Sequence, residues 1–563
     1  YPACEKIIGA LHGRFRQWYQ DVPLSDLQDD ESRRLLTAAY GQSLFASQQA
    51  ELLQRSGGNP LFLVEIARFA AIAPAQVIPS TLQSIIESRV DALAKELRDT
   101  LKMAAVIGNP FTLEELIYAL QSRGSDVRRQ LGELHGQNLI IPCDKDYSFT
   151  HAMVQEVVYE GLSVSVRQGN HRRLGDYWKT QAEKPGAEHE AAKQAARHYF
   201  AGENWAAALR WGETAADNYH ATYAHQDARR LYQQAITAAI TLCDWDALSR
   251  LNHKLGESHR RTGNYVPAVA AYERALGFLL VQNAAPGARA EIQFSLGRTY
   301  YEWSKFDLAL EALVQGLKDC GEDASLTRAR LLRMRCAIMF LRGKLDEAQQ
   351  DVTTALQIAQ DLEIRDEEAY AYNNLGGICG KQKQYDQALD YHQRSLKIRR
   401  ELAAARGLEA TYEIAESLNN RATVLALLEQ WDEAENCYEE ALTTQQKIGD
   451  RFGEIQTLHN LAWLYWDRGD LERAEAEFLK ELPLCQHLGS RRGVAYVHND
   501  LGSLYLGQGR LTEAQEHLER SAQLYEELGV YIHLPANYQA LAKTHLQLEQ
   551  REPAIQAAQQ ALI

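Results

Sequence analysis

The feature that most constrains this 563-residue chain is a short phrase that recurs from about Arg250 to Ile563. Leu255-Gly256, Leu296-Gly297, Leu375-Gly376, Leu461-Ala462, Leu501-Gly502 and Leu541-Ala542 are each followed twelve residues later by an alanine. Those alanines are Ala268, Ala309, Ala388, Ala474, Ala514 and Ala554. Two degenerate copies, anchored at Cys336 and Ala422, keep the same distance to Ala348 and Ala434. Small residues at two fixed positions predict a pair of antiparallel helices whose backbones approach closely. An aromatic three residues after the first small residue (Tyr300, Tyr465, Tyr505) fills the volume beside that contact. A turn with Gly or a polar residue separates the helices, as at Thr262-Gly263-Asn264, Arg468-Gly469-Asp470 and Gln508-Gly509-Arg510. The anchor leucines and the alanine series are therefore assigned to the core.

The pattern resembles the tetratricopeptide repeat, whose signature places Leu-Gly, an aromatic and then Ala-x3-aromatic at these intervals. Tyr272, Tyr438 and Phe478 supply the last aromatic, whereas Leu313, Val352, His392 and Leu518 depart from it. The anchors at 256, 297, 336, 376, 422, 462, 502 and 542 step by about 40 residues, against 34 in the common repeat. About six extra residues shared between two helices lengthen each by roughly one turn. Arrays of this longer period are similar to those of kinesin light chains and bacterial regulatory ATPases. The single 46-residue step, from 376 to 422, is expected to extend a helix or bulge a loop at Arg399–Tyr412. Farther upstream, Trp205-Ala-Ala-Ala-Leu209 and Asp227-Ala-Arg-Arg-Leu-Tyr232 resemble second helices of irregular repeats that cap the array, for about ten hairpins in all.

Length alone would suggest three or four domains, but a repeat array grows in one dimension and escapes that rule. The net charge of −15 fits poorly with a nucleic-acid or anionic-membrane surface, which needs a basic face. Eight cysteines are scattered without a C-x-x-C pair, the pattern of reduced thiols in a cytoplasmic protein rather than of a disulfide framework or zinc site. No apolar run approaches the ~18 residues that span a bilayer, and nothing resembles a signal peptide.

Residues 1–75 read as helical, with Leu11, Phe15 and Trp18 at helical spacing and a second helix around Ser32–Tyr40. In Gly57-Gly58-Asn59-Pro60-Leu-Phe-Leu63, the glycines end one helix and Pro60 opens the next, where its missing N–H is no loss. Residues 76–178 read as three helices and a hairpin, which make a winged helix. Ser80 is the expected N-cap of the first helix, with Gln83 completing a capping box. Leu97–Ile107 and Val127–Leu134 are further helices, Thr112-x-x-Glu115 is a second capping box, and Asn138–Ile141 and Tyr147–Phe149 are the strands. The Gly-Asn-Pro-Leu-Phe-Leu segment, together with Phe149-Thr-His-Ala-Met-Val-Gln-Glu-Val-Val-Tyr159 and His171-Arg172-Arg173, resembles the lid and winged helix of STAND-type signalling ATPases. That resemblance implies that Pro60 packs on an adenine ring and that His151 contacts the diphosphate of bound ADP. Read without it, the Pro60 segment is a helix–turn–helix corner. His151 is then a partly buried, hydrogen-bonded residue following a Thr150 cap.

A phosphate-cradling loop needs G-x4-G-K-[ST]. The Gly343-Lys344 and Gly380-Lys381 pairs lack both the earlier glycine and the following hydroxyl. No G-x-S-x-G, H-E-x-x-H or paired Cys/His set is present either. No catalysis, cofactor or metal is therefore expected of this chain. ATP or ADP would enter only with an upstream nucleotide-binding core, and Tyr1 in place of Met is consistent with such a missing part. The expected fold is all-α: a tetratricopeptide superhelix preceded by a small helical lid remnant and a winged helix with a short β-hairpin. The expected boundaries are 1–75 (lid remnant), 76–178 (winged helix), 185–247 (irregular repeats) and 248–563 (the array).

First helices of such arrays line a concave face, and residues three and six before each anchor point into it. Here these are Tyr370, Asn373, Glu416, Asn419, His459, Tyr496, Asn499 and Gln539. Asparagine side chains pair with both N–H and C=O of an extended peptide; the alternative is that Asn373 and Asn419 bond neighbouring repeats. The leading expectation is thus a protein-interaction and ligand-sensing module of a STAND-type ATPase, taking a protein or peptide on the concave surface. The resemblance allows an oligomer in the full-length protein, although nothing in these residues specifies one. A stand-alone tetratricopeptide scaffold is the alternative. DNA binding through Arg128 and Arg129 of the winged helix is weaker, and neither nucleic acid nor membrane is an expected partner.

Overall fold

The computed structural model describes residues 27–40, 52–54, 56, 58–72, 81–144, 146–184 and 188–562. Leu11, Phe15, Trp18, Gly57 and Ser80 lie outside the described residues. The chain divides into two compact units, Tyr1–Ser258 and His259–Ile563.

In the first unit, α1 (Asp29–Tyr40) and α2 (Pro60–Ile72) pack through Leu36, Leu63, Ile66 and Ala67. Gly58 takes a positive φ of 82° before α2, and Asn59 Oδ1 accepts the backbone N–H of Phe62 at 3.0 Å. Pro60 therefore opens α2 as its chemistry predicts. Next come α3 (Leu82–Asp91), α4 (Lys95–Ile107), α5 (Leu113–Leu120) and α6 (Gly124–Gly136). Strands β1 (Ile140–Cys143) and β2 (Asp146–Phe149) then pair antiparallel, with Ile140 opposite Phe149. A lone bridge from Phe111 to Tyr147 ties the entry of α5 to β2.

One apolar core runs through α3 to α6 and both strands and into α7 (Ala152–Glu160) and α8 (Val164–Ala182), from Ile86 to Leu174. Buried Glu65 of α2 pairs with Arg89 of α3, whose Nη2 also donates to the Gln137 carbonyl at 2.7 Å. Two caps sit one residue later than expected. Thr81, not Ser80, caps α3 and accepts from Ser84 N. His151, not Thr150, is the N-cap residue of α7, while the Thr150 hydroxyl donates to the Asn138 carbonyl at 2.8 Å.

Helix α8 is followed by α9 (Glu188–Ala201), α10 (Trp205–Ala221), α11 (His225–Leu242) and α12 (Trp245–Arg260). Helices α10 and α11 are consecutive, so at most one of the Trp205 and Asp227 segments is a second helix. The boundary between the two units falls inside α12.

The second unit continues as regular hairpins. They are α13 (Tyr265–Val281), α14 (Pro286–Glu302), α15 (Phe306–Cys320), α16 (Leu326–Leu341), α17 (Leu345–Asp361), α18 (Arg365–Lys381) and α19 (Tyr385–Ala405). After these come α20 (Tyr412–Leu427), α21 (Trp431–Ile448), α22 (Arg451–Arg468), α23 (Leu471–His487), α24 (Arg491–Gln508), α25 (Leu511–Leu528), α26 (Leu534–Gln547) and α27 (Arg551–Gln560). The long step at 376–422 is met in both expected ways: α19 runs to 21 residues, and a loop through Gly407 (φ 68°) precedes α20.

Every hairpin turns at the same place. Seven residues after each anchor the backbone is left-handed, at Gly263, Ser304, Gly343, Lys383, Glu429, Gly469, Gly509 and Glu549. The alanine series is fully buried except Ala554, which is 8% exposed.

The glycine anchors do something more specific than bring backbones together. A Cβ on Gly297 would lie 2.7 Å from Leu313, one on Gly376 2.6 Å from the His392 ring, and one on Gly502 2.6 Å from Leu518. Three of the four residues that depart from the aromatic consensus therefore sit directly on a glycine, while Val352 belongs to the hairpin anchored at Cys336. Where the anchor is Ala422 or Ala462, the partner sixteen residues on is Tyr438 or Phe478, both buried. In these five hairpins the two positions are matched in shape, whereas Gly256 keeps the aromatic Tyr272.

Candidate functional site

The first helices of five consecutive hairpins (α14, α16, α18, α20 and α22) contribute to one cavity of about 630 Å³. Tyr301, Phe340, Leu341, Val424 and Leu427 give it apolar walls, and Asn373, Asn374, Asn420 and Gln456 give it a polar side. Asn373 and Glu416 are the expected groove residues that reach it.

Asparagines tie successive first helices together. Asn420 Nδ2 donates to Asn373 Oδ1 at 3.3 Å, Asn460 Nδ2 to Asn419 Oδ1 at 3.1 Å, and Asn537 Nδ2 to Asn499 Oδ1 at 3.1 Å. His392 Nδ1 also lies 3.1 Å from Asn373 Oδ1, so its ring N–H donates there. Burial, with Arg399 nearby, holds this imidazole at a pKa of about 4. The oxygen of each expected asparagine is thus committed to inter-repeat bonding. The Nδ2 groups of Asn373 and Asn419 have no hydrogen-bond acceptor among the described residues. The reading in which these residues bond neighbouring repeats therefore holds at the oxygen end of each amide.

The other expected positions divide. Tyr370 is sandwiched between Arg333 and Arg399, with guanidinium carbons 4.6 and 5.0 Å from its ring centre. Glu416 pairs with Arg399 at 3.0 Å. His459 Nδ1 lies 3.3 Å from Glu481 Oε2 and 3.9 Å from Asp500 Oδ2. Burial opposes protonation of His459, but the bond to Glu481 and the charges of Glu481 and Asp500 outweigh it, so its pKa is raised. Burial likewise pushes the Asp500 carboxyl up to about 6, against the pull of His459. Tyr496 receives a 2.8 Å hydrogen bond from Arg492 and stands 3.2 Å from His533 Nε2. Gln539 is simply exposed.

Pro60 is exposed at the start of α2. His151 is exposed too, with no hydrogen-bond partner among the described residues, which corrects the expectation of a partly buried, bonded ring. On α6, Arg129 is engaged by Glu133 at 2.7 Å and Glu96 at 3.3 Å. Among the described residues, no group of three or more His, Cys, Asp or Glu is placed to hold a metal. Nor is any described helix long and apolar enough to cross a membrane.

The family model for the tetratricopeptide repeat matches residues 327–401, 413–487 and 493–562. These segments are tetratricopeptide repeats. An uncharacterised protein of Rhizobium meliloti (strain 1021) is 29% identical over 176 residues, a stretch covering 27% of this chain and 17% of that protein. Among solved structures, the chain is similar to a Signal Transduction ATPase with Numerous Domains (STAND) that has a tetratricopeptide repeat sensor, from Pyrococcus horikoshii. That match has 15% identity and a TM-score of 0.49, and covers 96% of this chain and 73% of that one. A Rap protein complexed with competence and sporulation factor matches with 16% identity and a TM-score of 0.42, over 63% of this chain and 96% of that one.

Sequence spacing located the asparagines but missed the cavity beside them and the carboxylates around His459. Glu481 and Asp500 lie on helices that only the fold brings next to α22. Gly377, Gly380 and Lys381 were visible as letters, and the repeat signature assigns them nothing.

Proposed function

We propose that this chain is the ligand-sensing, protein-recognition part of a STAND-type signalling ATPase, and that its repeats bind an extended peptide or protein segment along the first helices without catalysis of their own. The observation that carries the binding role is the pair of Asn373 and Asn419 amides. Each is held by its oxygen to the next repeat, with its Nδ2 left over for a peptide carbonyl. A donor fixed in place by an inter-repeat bond binds with little loss of side-chain freedom.

The signalling role is supported by the wording around Pro60 and His151, and by the exposure of both residues, which leaves them available to a nucleotide carried by a neighbouring ATPase core. The helices and hairpin of 82–149 fit the winged helix of that architecture. A bound peptide would then bias the lid only through a difference in affinity between its states. The cytoplasm, with its nucleotide, is the compartment this reading requires. The second reading, a scaffold with no nucleotide response, is favoured by one observation: the proposed groove lies wholly within the second unit.

The test begins with peptides selected on the purified chain from a random display library. Asn373→Asp with Asn419→Asp keeps the oxygen acceptors and removes the donors. Peptide affinity should fall about tenfold, as for the loss of one or two hydrogen bonds. Unchanged affinity refutes the asparagine groove. For the signalling role, ADP should alter peptide affinity in the intact protein and His151→Ala should abolish that effect. An affinity indifferent to both leaves the scaffold.

A further inference from the structure

Helix α18 contains Gly376-Gly377-Ile378-Cys379-Gly380-Lys381, three glycines where a helix prefers none. Gly376 is required, because a Cβ there would meet the His392 ring at 2.6 Å. The other two are not. A Cβ on Gly377 meets nothing within 4 Å, and one on Gly380 meets only Val424 Cγ2 at 3.8 Å. Each weakens its helix relative to alanine with no steric demand from the fold to justify it. With Asn373 four residues before Gly377 and Lys381 four after, they form one stripe of the helix, and that stripe lines the 630 Å³ cavity.

Two further observations point to an occupant. Asn373 is only 6% exposed, yet its Nδ2 has no acceptor among the described residues, in a side chain that lines the cavity. Lys381 is exposed and has no ion-pair partner among the described residues. The carboxylate in the lining, Glu416, is already paired with Arg399. The lining therefore carries an uncompensated cation in a chain of net charge −15.

We propose that the cavity floored by Gly377 and Gly380 is the specificity pocket of the groove, taking a bulky apolar side chain of a bound peptide, with Lys381 pairing a carboxylate beside it. This rests on the groove reading above and adds the class of peptide. Side-chain atoms at 377 or 380 would occupy the volume that the ligand fills, and the missing atoms expose helix backbone for close approach.

The probes are N-acetylated, C-amidated heptapeptides of sequence Gly-Ser-Glu-X-Glu-Ser-Gly, with X as Ala, Leu, Phe or Trp, titrated calorimetrically into the full chain. Affinity should rise from Ala to Trp by about tenfold or more, the scale of burying one large apolar side chain. Gly377→Leu should raise or preserve the melting temperature while cutting Trp-peptide affinity at least about tenfold; loss of fold would do the opposite to the melting temperature. Lys381→Gln should weaken the Glu-containing peptides and leave their Gln counterparts unchanged. Equal binding of all four X peptides, with dependence on the Asn373 and Asn419 donors intact, overturns the pocket and leaves the groove standing. Wild-type affinity in Gly377→Leu overturns it as well. If no member binds, the pocket is refuted, and the library selection decides the groove separately.

Discussion

The two units solve the packing problem in contrasting ways. Residues 86–174 share one core, in which four helices, a hairpin and two further helices depend on each other across long sequence separations. The array has several small cores, such as the one around Tyr438, Phe478 and Tyr505 and another around Val352, Leu375 and Ile398, each drawn from neighbouring hairpins. A shared core couples its elements, whereas stacked hairpins answer only to their neighbours. The comparison also explains why one region declares itself in sequence by spacing and the other only by local cues.

The largest expected effect breaks an array core. Phe478, fully buried between His459 and Trp466, should cost about 4 kcal/mol when replaced by alanine. Hydrogen exchange should quicken only in the hairpins that border it; acceleration throughout 265–560 would show that the array is one cooperative block. Leu101→Ala, in the shared core, should cost about 3 kcal/mol and release protection across 86–174 together. Protection retained in β1 and β2 would contradict the single core.

Acid titration sharpens the contrast further. Burial holds His392 at about 4, well below its ordinary 6.5. Its contribution is therefore complete above pH 6.5 and lost as the pH falls toward 4, by up to roughly 3 kcal/mol. His392→Leu gives this hairpin the same glycine–leucine pairing as Gly297 with Leu313 and Gly502 with Leu518. It should flatten that part of the pH profile; an unchanged acid slope in thermal melts would assign the loss elsewhere. Burial and neighbouring arginines likewise hold His171 of the first unit at about 4, so the two regions should lose stability over the same pH window.

Smaller effects probe the repeat itself. Tyr505 donates to Glu475 Oε1 at 2.9 Å beneath Arg510, as Tyr465 does to Glu435 beneath Arg473. Tyr505→Phe should cost about 1 kcal/mol, measured by urea unfolding, and Tyr465→Phe should match it. Ser304, left-handed at φ 60° where four other hairpins have glycine, should gain up to about 1 kcal/mol as Ser304→Gly; a loss would show that its side chain is needed at the turn.

Much of this was written in the chain. The anchors located all eight regular hairpins, and the 46-residue step announced both a longer α19 and a longer loop. Thr112 with Glu115 formed the expected capping box. Local cues failed by one residue at Thr150, whose hydroxyl donates to the Asn138 carbonyl instead of capping α7, and at the start of α3, where the cap is Thr81. Leu313, His392 and Leu518 looked like flaws in the consensus because their reason is a glycine on the other helix of the same hairpin. The asparagine positions were found by spacing. Which atom of each amide is occupied depends on Asn420, Asn460 and Asn537 in the next repeat, and no single-repeat signature encodes that.

The matching of a small anchor to its partner sixteen residues on lies inside one hairpin, and this makes the array editable. Removing residues 451–490 would take out one anchor with its complement and bring Glu435 opposite Tyr505, a pair chemically identical to the one Glu475 makes now. A lineage could therefore lengthen or shorten this molecule in forty-residue blocks, and vary the ligands it measures, with each anchor carried along beside its own complement.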